Sequence, residues 1–82
     1  MNSDQFLKEA YTNIKKTWNI NKKDLAVVWQ NYTLGFNKAM IAVIGGSVET
    51  DAYFEVTYNY AKKEMYIDRY EHVENREFIE VR

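Results

Sequence analysis

Asp51 to Tyr70 reads DAYFEVTYNYAKKEMYIDRY. In its first arm Ala52, Phe54, Val56 and Tyr58 fall on one face and Asp51, Tyr53, Glu55 and Thr57 on the other, the two-residue period of a half-buried strand. The second arm, Glu64 to Tyr70, sets Met65 and Ile67 against Glu64, Tyr66, Asp68 and Tyr70. With Tyr60 to Lys63 as the loop and Asn59 facing Glu64, Val56 comes opposite Ile67 and Tyr58 opposite Met65 on the core face. The same register sets Thr57 opposite Tyr66, Glu55 opposite Asp68 and Tyr53 opposite Tyr70 on the other face, where directly facing side chains stand about 5 Å apart. Arg69 comes across from Phe54, on the core side, and is expected at the sheet's rim.

Upstream, Ser3 or Asn2 can cap a helix whose first turn carries Asp4, the favourable sign for a helix N-terminus. Leu7, Tyr11, Ile14 and Trp18 recur at helical spacing, with Phe6 and Ala10 widening the stripe, so the pattern predicts one amphipathic helix over Ser3 to Thr17. Lys8, Glu9, Lys15 and Lys16 lie off the stripe. Asn19 to Lys23 is a polar connection. Leu25 to Thr33 and Lys38 to Ile44 then read as strands from their Val, Ile, Trp and Tyr content, with Leu34 to Asn37 as the turn and Gly35 supplying a positive φ. Gly45, Gly46 and Ser47 begin a loop to about Thr50; without a following Lys-Ser or Lys-Thr it is turn chemistry rather than a phosphate loop. Beyond Tyr70, Glu71, Glu74, Glu77 and Glu80 recur every third residue, and Phe78, Ile79 and Val81 suggest a short last strand. The expected fold is α+β, an N-terminal helix packed on an antiparallel sheet of four or five strands, with Phe54, Val56, Tyr58, Met65 and Ile67 meeting Leu7, Tyr11 and Ile14.

Eighty-two residues support one hydrophobic core, so residues 1–82 are read as one domain. A hydrophobic content of 46% separates the chain from disordered compositions. The chain lacks cysteine, which removes disulfides and thiolate metal sites. No apolar run approaches the roughly 18 residues of a membrane span, and the opening MNSDQ does not resemble a signal peptide, so a cytoplasmic protein without membrane contacts is expected. Residues 1–40 carry a net charge of +3 and residues 41–82 of −4. That asymmetry would make a dipolar molecule if it survived folding, but asymmetry along a sequence need not become asymmetry in space, and an ordinary solvated surface is the expected reading.

His72 is the one histidine, which rules out a multi-histidine metal site, and no serine is placed near it as a nucleophile; it reads as a solvated residue. Glu55 facing Asp68 is costly for a sheet unless a cation, a proton or a basic side chain offsets it. Half of an acid–base pair or a weak divalent site would use such a pair, but water or a neighbouring lysine suffices. Asn31-Tyr32-Thr33 matches a glycosylation acceptor by chance. The sequence therefore predicts no enzyme, cofactor or metal site. Tyr53, Tyr66 and Tyr70, with Glu55, Thr57 and Asp68 between them, form the candidate partner-binding face. Exposed rings can stack on single-stranded bases or anchor a protein interface. The acids Asp51, Glu55, Glu64 and Asp68 on these strands disfavour phosphate, so a protein partner is preferred. A homo-oligomeric contact is the alternative, and a single-stranded nucleic-acid binder the third reading.

The series VVWQNYTLGFNKAMIA, DAYFEVTYN and EMYIDRYEHVEN resembles a family of small uncharacterised proteins of phages and prophages of Gram-positive bacteria. The resemblance rests on Val28, Trp29, Leu34, Asn37, Lys38 and Ala39, then on Tyr53, Glu55 to Asn59, Glu64, Tyr66, Asp68, Tyr70 and Asn75. The segment GGSVETDA departs from that pattern. The resemblance implies a mobile-element origin and brings no activity or catalytic residues. Small phage proteins of this kind often bind and block a host or defence protein, which is an argument from class alone.

Overall fold

The computed structural model of the chain describes residues 2–45, 52–71 and 75–81. His72, Glu74, Asp51 and the loop residues 46–50 lie outside them. One helix, α1 (Ser3–Trp18), leads through a 3₁₀ turn (Lys22–Asp24) into β1 (Leu25–Thr33), β2 (Phe36–Val43), β3 (Tyr53–Asn59), β4 (Glu64–Glu71) and β5 (Asn75–Val81). The strands form one sheet in chain order, every neighbouring pair antiparallel. This is the α+β architecture expected, with all five strands.

The helix begins at Asn2, whose Oδ1 accepts from the Gln5 backbone N–H at 2.9 Å while Gln5 Oε1 accepts from the Asn2 N–H at 3.1 Å. This reciprocal capping box satisfies two of the donors a helix start leaves without partners, and it selects Asn2 over Ser3 as the cap. Asn19 ends the helix in the left-handed region at φ 57°, its N–H bonded to the Lys15 carbonyl. The buried row is Phe6, Ala10 and Ile14, each wholly inaccessible. Leu7, Tyr11 and Trp18 pack along its flanks. The face seated on the sheet is thus turned from the Leu7–Tyr11–Ile14 line, because the small Ala10 sits between Phe6 and Ile14 and lets the helix lie close.

From the sheet, Ala39, Ile41, Val43, Phe54, Val56, Met65 and Ile67 complete the core. Tyr58 is only half-buried, at the end of β3 nearest the loop. The β3–β4 register matches the sequence reading pair for pair, from Asn59 opposite Glu64 to Tyr53 opposite Tyr70. The β1–β2 turn is shorter than expected: Leu34 and Gly35 alone form it, at φ 48° and 85°, and β2 starts at Phe36. Positive φ at both central residues is the type I′ pattern, whose twist matches that of the strands. A bulge between Val27 and Trp29 leaves Val28 without a partner on β2.

Arg69 is less exposed than a rim position implies, with 13% of its side chain accessible. Its Nη1 lies 2.8 Å from Glu71 Oε2 and 3.2 Å from Glu77 Oε1, and the other Glu77 oxygen accepts from Trp18 Nε1 at 2.8 Å. Trp18 also lies against Phe54, ring centroids 5.0 Å apart. The end of α1, β4 and β5 are therefore joined through one carboxylate, and the partly hydrated guanidinium is admitted to the core side because two carboxylates hold it.

Candidate functional site

The helix covers one face of the sheet. On the other, strand register sorts the side chains into rows that run across the strands. One row reads Trp29, Met40, Glu55, Asp68, Phe78 from β1 to β5. Beside it run Asn31, Lys38, Thr57, Tyr66 and Glu80. On the other flank Ala42, Tyr53 and Tyr70 stand in line. All six predicted site residues, Tyr53, Glu55, Thr57, Tyr66, Asp68 and Tyr70, are brought onto this face.

The rings are ordered by their neighbours. Tyr53 and Tyr70 stack across the β3–β4 pair at 4.9 Å and 15°, and Tyr66 stacks with Phe78 across β4–β5 at 6.1 Å and 15°. Offset pairs at such separations hold each ring in one orientation and contribute about 0.5 to 1.5 kcal/mol beyond area burial. Glu55 is exposed and Asp68 half-buried, between Met40 on one side and Phe78 on the other. Two carboxylates framed by fixed ring faces attract cations both by direct charge and by the negative face of the rings. A guanidinium or ammonium group on a partner answers both. Among the described residues no group of three His, Asp or Glu side chains is arranged to hold a metal ion.

Sequence reasoning missed four large apolar members of this face. Trp29 and Phe78 remain 45% and 52% exposed, and Met40 lies between Trp29 and Glu55. Phe36, 39% exposed, extends the same face toward the Leu34–Gly35 turn. The usable signal was the nearly unbroken apolar run of β2: a strand with one wet face alternates, and Met40 and Ala42 fill the positions where polar residues belong. In β1 the Val28 bulge breaks the alternation that would have assigned Trp29 to a face.

The fold and this face define a small open-faced α+β domain, one helix on one side of the sheet and aromatic and acidic side chains on the other. The chain matches a family of unknown function, DUF6275, over residues 2–80, and it belongs to that family. No curated protein and no solved structure matches it. No helix among the described residues is long and apolar enough to cross a membrane.

Proposed function

We propose that this protein is a non-enzymatic protein-interaction module that binds a basic surface of a partner with the open face of its sheet. The observation that carries the reading is the row Glu55–Asp68 set between Met40 and Phe78 and beside two stacked ring pairs. Oriented aromatics surrounded by complementary charge are what interface anchors are made of. The resemblance to phage and prophage proteins extends the proposal to a mobile-element origin and to work in the cytoplasm of a bacterial host, where the partner is a host or defence protein that binding inhibits. The acids that suit a basic protein weigh against a phosphate backbone, so the single-stranded nucleic-acid reading stands behind this one.

The test is affinity capture from a bacterial lysate with the wild-type chain and with Tyr66→Ala and Tyr70→Ala, followed by titration of the captured protein. Both variants are expected to keep most of their stability and to lose the partner. Capture that is undiminished in both, with folded protein by circular dichroism, defeats the proposal. The homo-oligomeric reading is favoured by a different observation, the exposed apolar side chains along β1.

A further inference from the structure

Of the seven large hydrophobic side chains that remain exposed among the described residues, six lie on β1 or beside its ends: Val28, Trp29, Tyr32, Leu34, Phe36 and Ile44. β1 is also an edge of the sheet. Its sequence LAVVWQNYT has no charge and no proline, whereas the opposite edge, β5, reads NREFIEV and carries three charges. Natural edges are guarded by charge, proline or bulges, and an unguarded apolar edge is a template for a further strand. β1 has one such device, the bulge at Val28, and it leaves Trp29 to Thr33 as five regular residues.

We infer that β1 pairs antiparallel with β1 of a second copy across a two-fold axis at Asn31, giving one continuous ten-stranded sheet. The turn sets the register. In a two-residue hairpin the flanking pair, here Thr33 and Phe36, exchanges backbone hydrogen bonds, and bonded and non-bonded pairs then alternate along the strand. Gln30 and Tyr32 consequently direct their N–H and C=O groups away from β2, toward a neighbour. A two-fold at Asn31 places Gln30 of each copy opposite Tyr32 of the other, so these outward groups bond to one another, with Asn31 facing Asn31 in the non-bonded position. No like charges meet. The same register brings the Val28 region of each copy to the Leu34 turn of the other. Val28 is 56% and Leu34 92% exposed in the single chain. Leu34 is the telling residue, since it occupies a positive-φ position that favours Asn or Gly and gains nothing from burial in the monomer. Self-complementary contacts of this kind are the commonest route to closed dimers. The pairing also continues the open aromatic face across the axis through Trp29 and stands independently of what that face binds.

The experiment is sedimentation equilibrium on the full chain. The wild type should give twice the 9.8 kDa chain mass. Asn31→Lys, an exposed substitution that sets two ammonium groups face to face, should give the single-chain mass with an unchanged circular dichroism spectrum, as should Asn31→Glu. An equal mixture of the two variants should restore the dimer. Leu34→Asn should weaken dimerisation at least tenfold without lowering the melting temperature of the dilute chain. A monomeric wild type at all concentrations overturns the inference. So does a dimer that survives Asn31→Lys, since its interface would lie elsewhere.

Discussion

Glu77 holds three elements together with one side chain. One oxygen accepts from Trp18 at the end of α1 and the other pairs with Arg69 on β4. Its side chain is 59% exposed, so the ion pair is strongly screened and the hydrogen bonds carry most of the effect. Glu77→Ala is expected to destabilise by about 1 kcal/mol and Glu77→Gln by less, because the amide oxygen still accepts from Trp18. Urea unfolding of both variants checks this; a Gln variant as unstable as the Ala variant would mean that the ion pair dominates. At the other end of the helix, Asn2→Ala removes the capping box and should cost about 0.5 to 2 kcal/mol, whereas Ser3→Ala, at the first helical residue, should cost little. A reversed order in the two melting temperatures would place the cap at Ser3.

The elements differ in how openly the sequence declares them. The β3–β4 hairpin was legible residue by residue because both arms alternate strictly and the loop Tyr60–Lys63 is bounded by a pairing of Asn59 with Glu64 that leaves only one register with a dry face. The helix was legible in extent, ending one residue later than expected, but its buried line was not. Leu7 and Tyr11 are larger than Ala10, and size favours them in any reading of the stripe; close approach to the sheet favours Ala10. The β1–β2 hairpin concealed most. Its turn places a leucine at positive φ, against preference, and the bulge at Val28 exchanges the faces of the strand midway: Leu25 and Val27 pair with core residues Val43 and Ile41 before it, Gln30 with Ala39 after it. Hence Trp29 could not be assigned to the open face from its spacing. Val28 is the one residue of β1 that β2 does not pair, so deleting it leaves Leu25 to Val27 and Trp29 to Thr33 opposite the same β2 residues on the same faces and should cost less than about 1 kcal/mol. A larger loss in urea unfolding would show that the fold depends on the bulge.

At the scale of the molecule, stability and binding are divided between the two faces of the same strands. Ile67 is wholly buried beneath the helix and Tyr66, its neighbour on β4, is half-buried on the open face. Ile67→Ala should cost about 2 to 5 kcal/mol as a core truncation. Tyr66→Ala should cost about 1 kcal/mol, chiefly its stacking on Phe78, while abolishing capture of the partner. Charge is divided along the same axis. The helix exposes Lys8, Lys15 and Lys16 and the 3₁₀ turn Lys22 and Lys23, while in the register of the open face the acids Glu55, Glu64, Asp68 and Glu80 outnumber the basic positions Lys38 and Arg76. The asymmetry along the sequence thus survives as an asymmetry in space. A basic partner is attracted to one layer and repelled by the other. Glu55→Gln and Asp68→Asn should therefore weaken binding most at low salt, with the loss shrinking at ~0.1 M, where the screening length falls to about 10 Å. Lys8→Glu and Lys16→Glu, on the far layer, should leave affinity unchanged or raise it slightly. Titration of the captured partner against all four variants at two ionic strengths decides the matter. If the lysine variants weaken binding and the carboxylate variants do not, the docking surface is on the helix layer, where Lys22 Nζ stands 5.5 Å from the Tyr11 ring beside Leu7, and the partner is acidic.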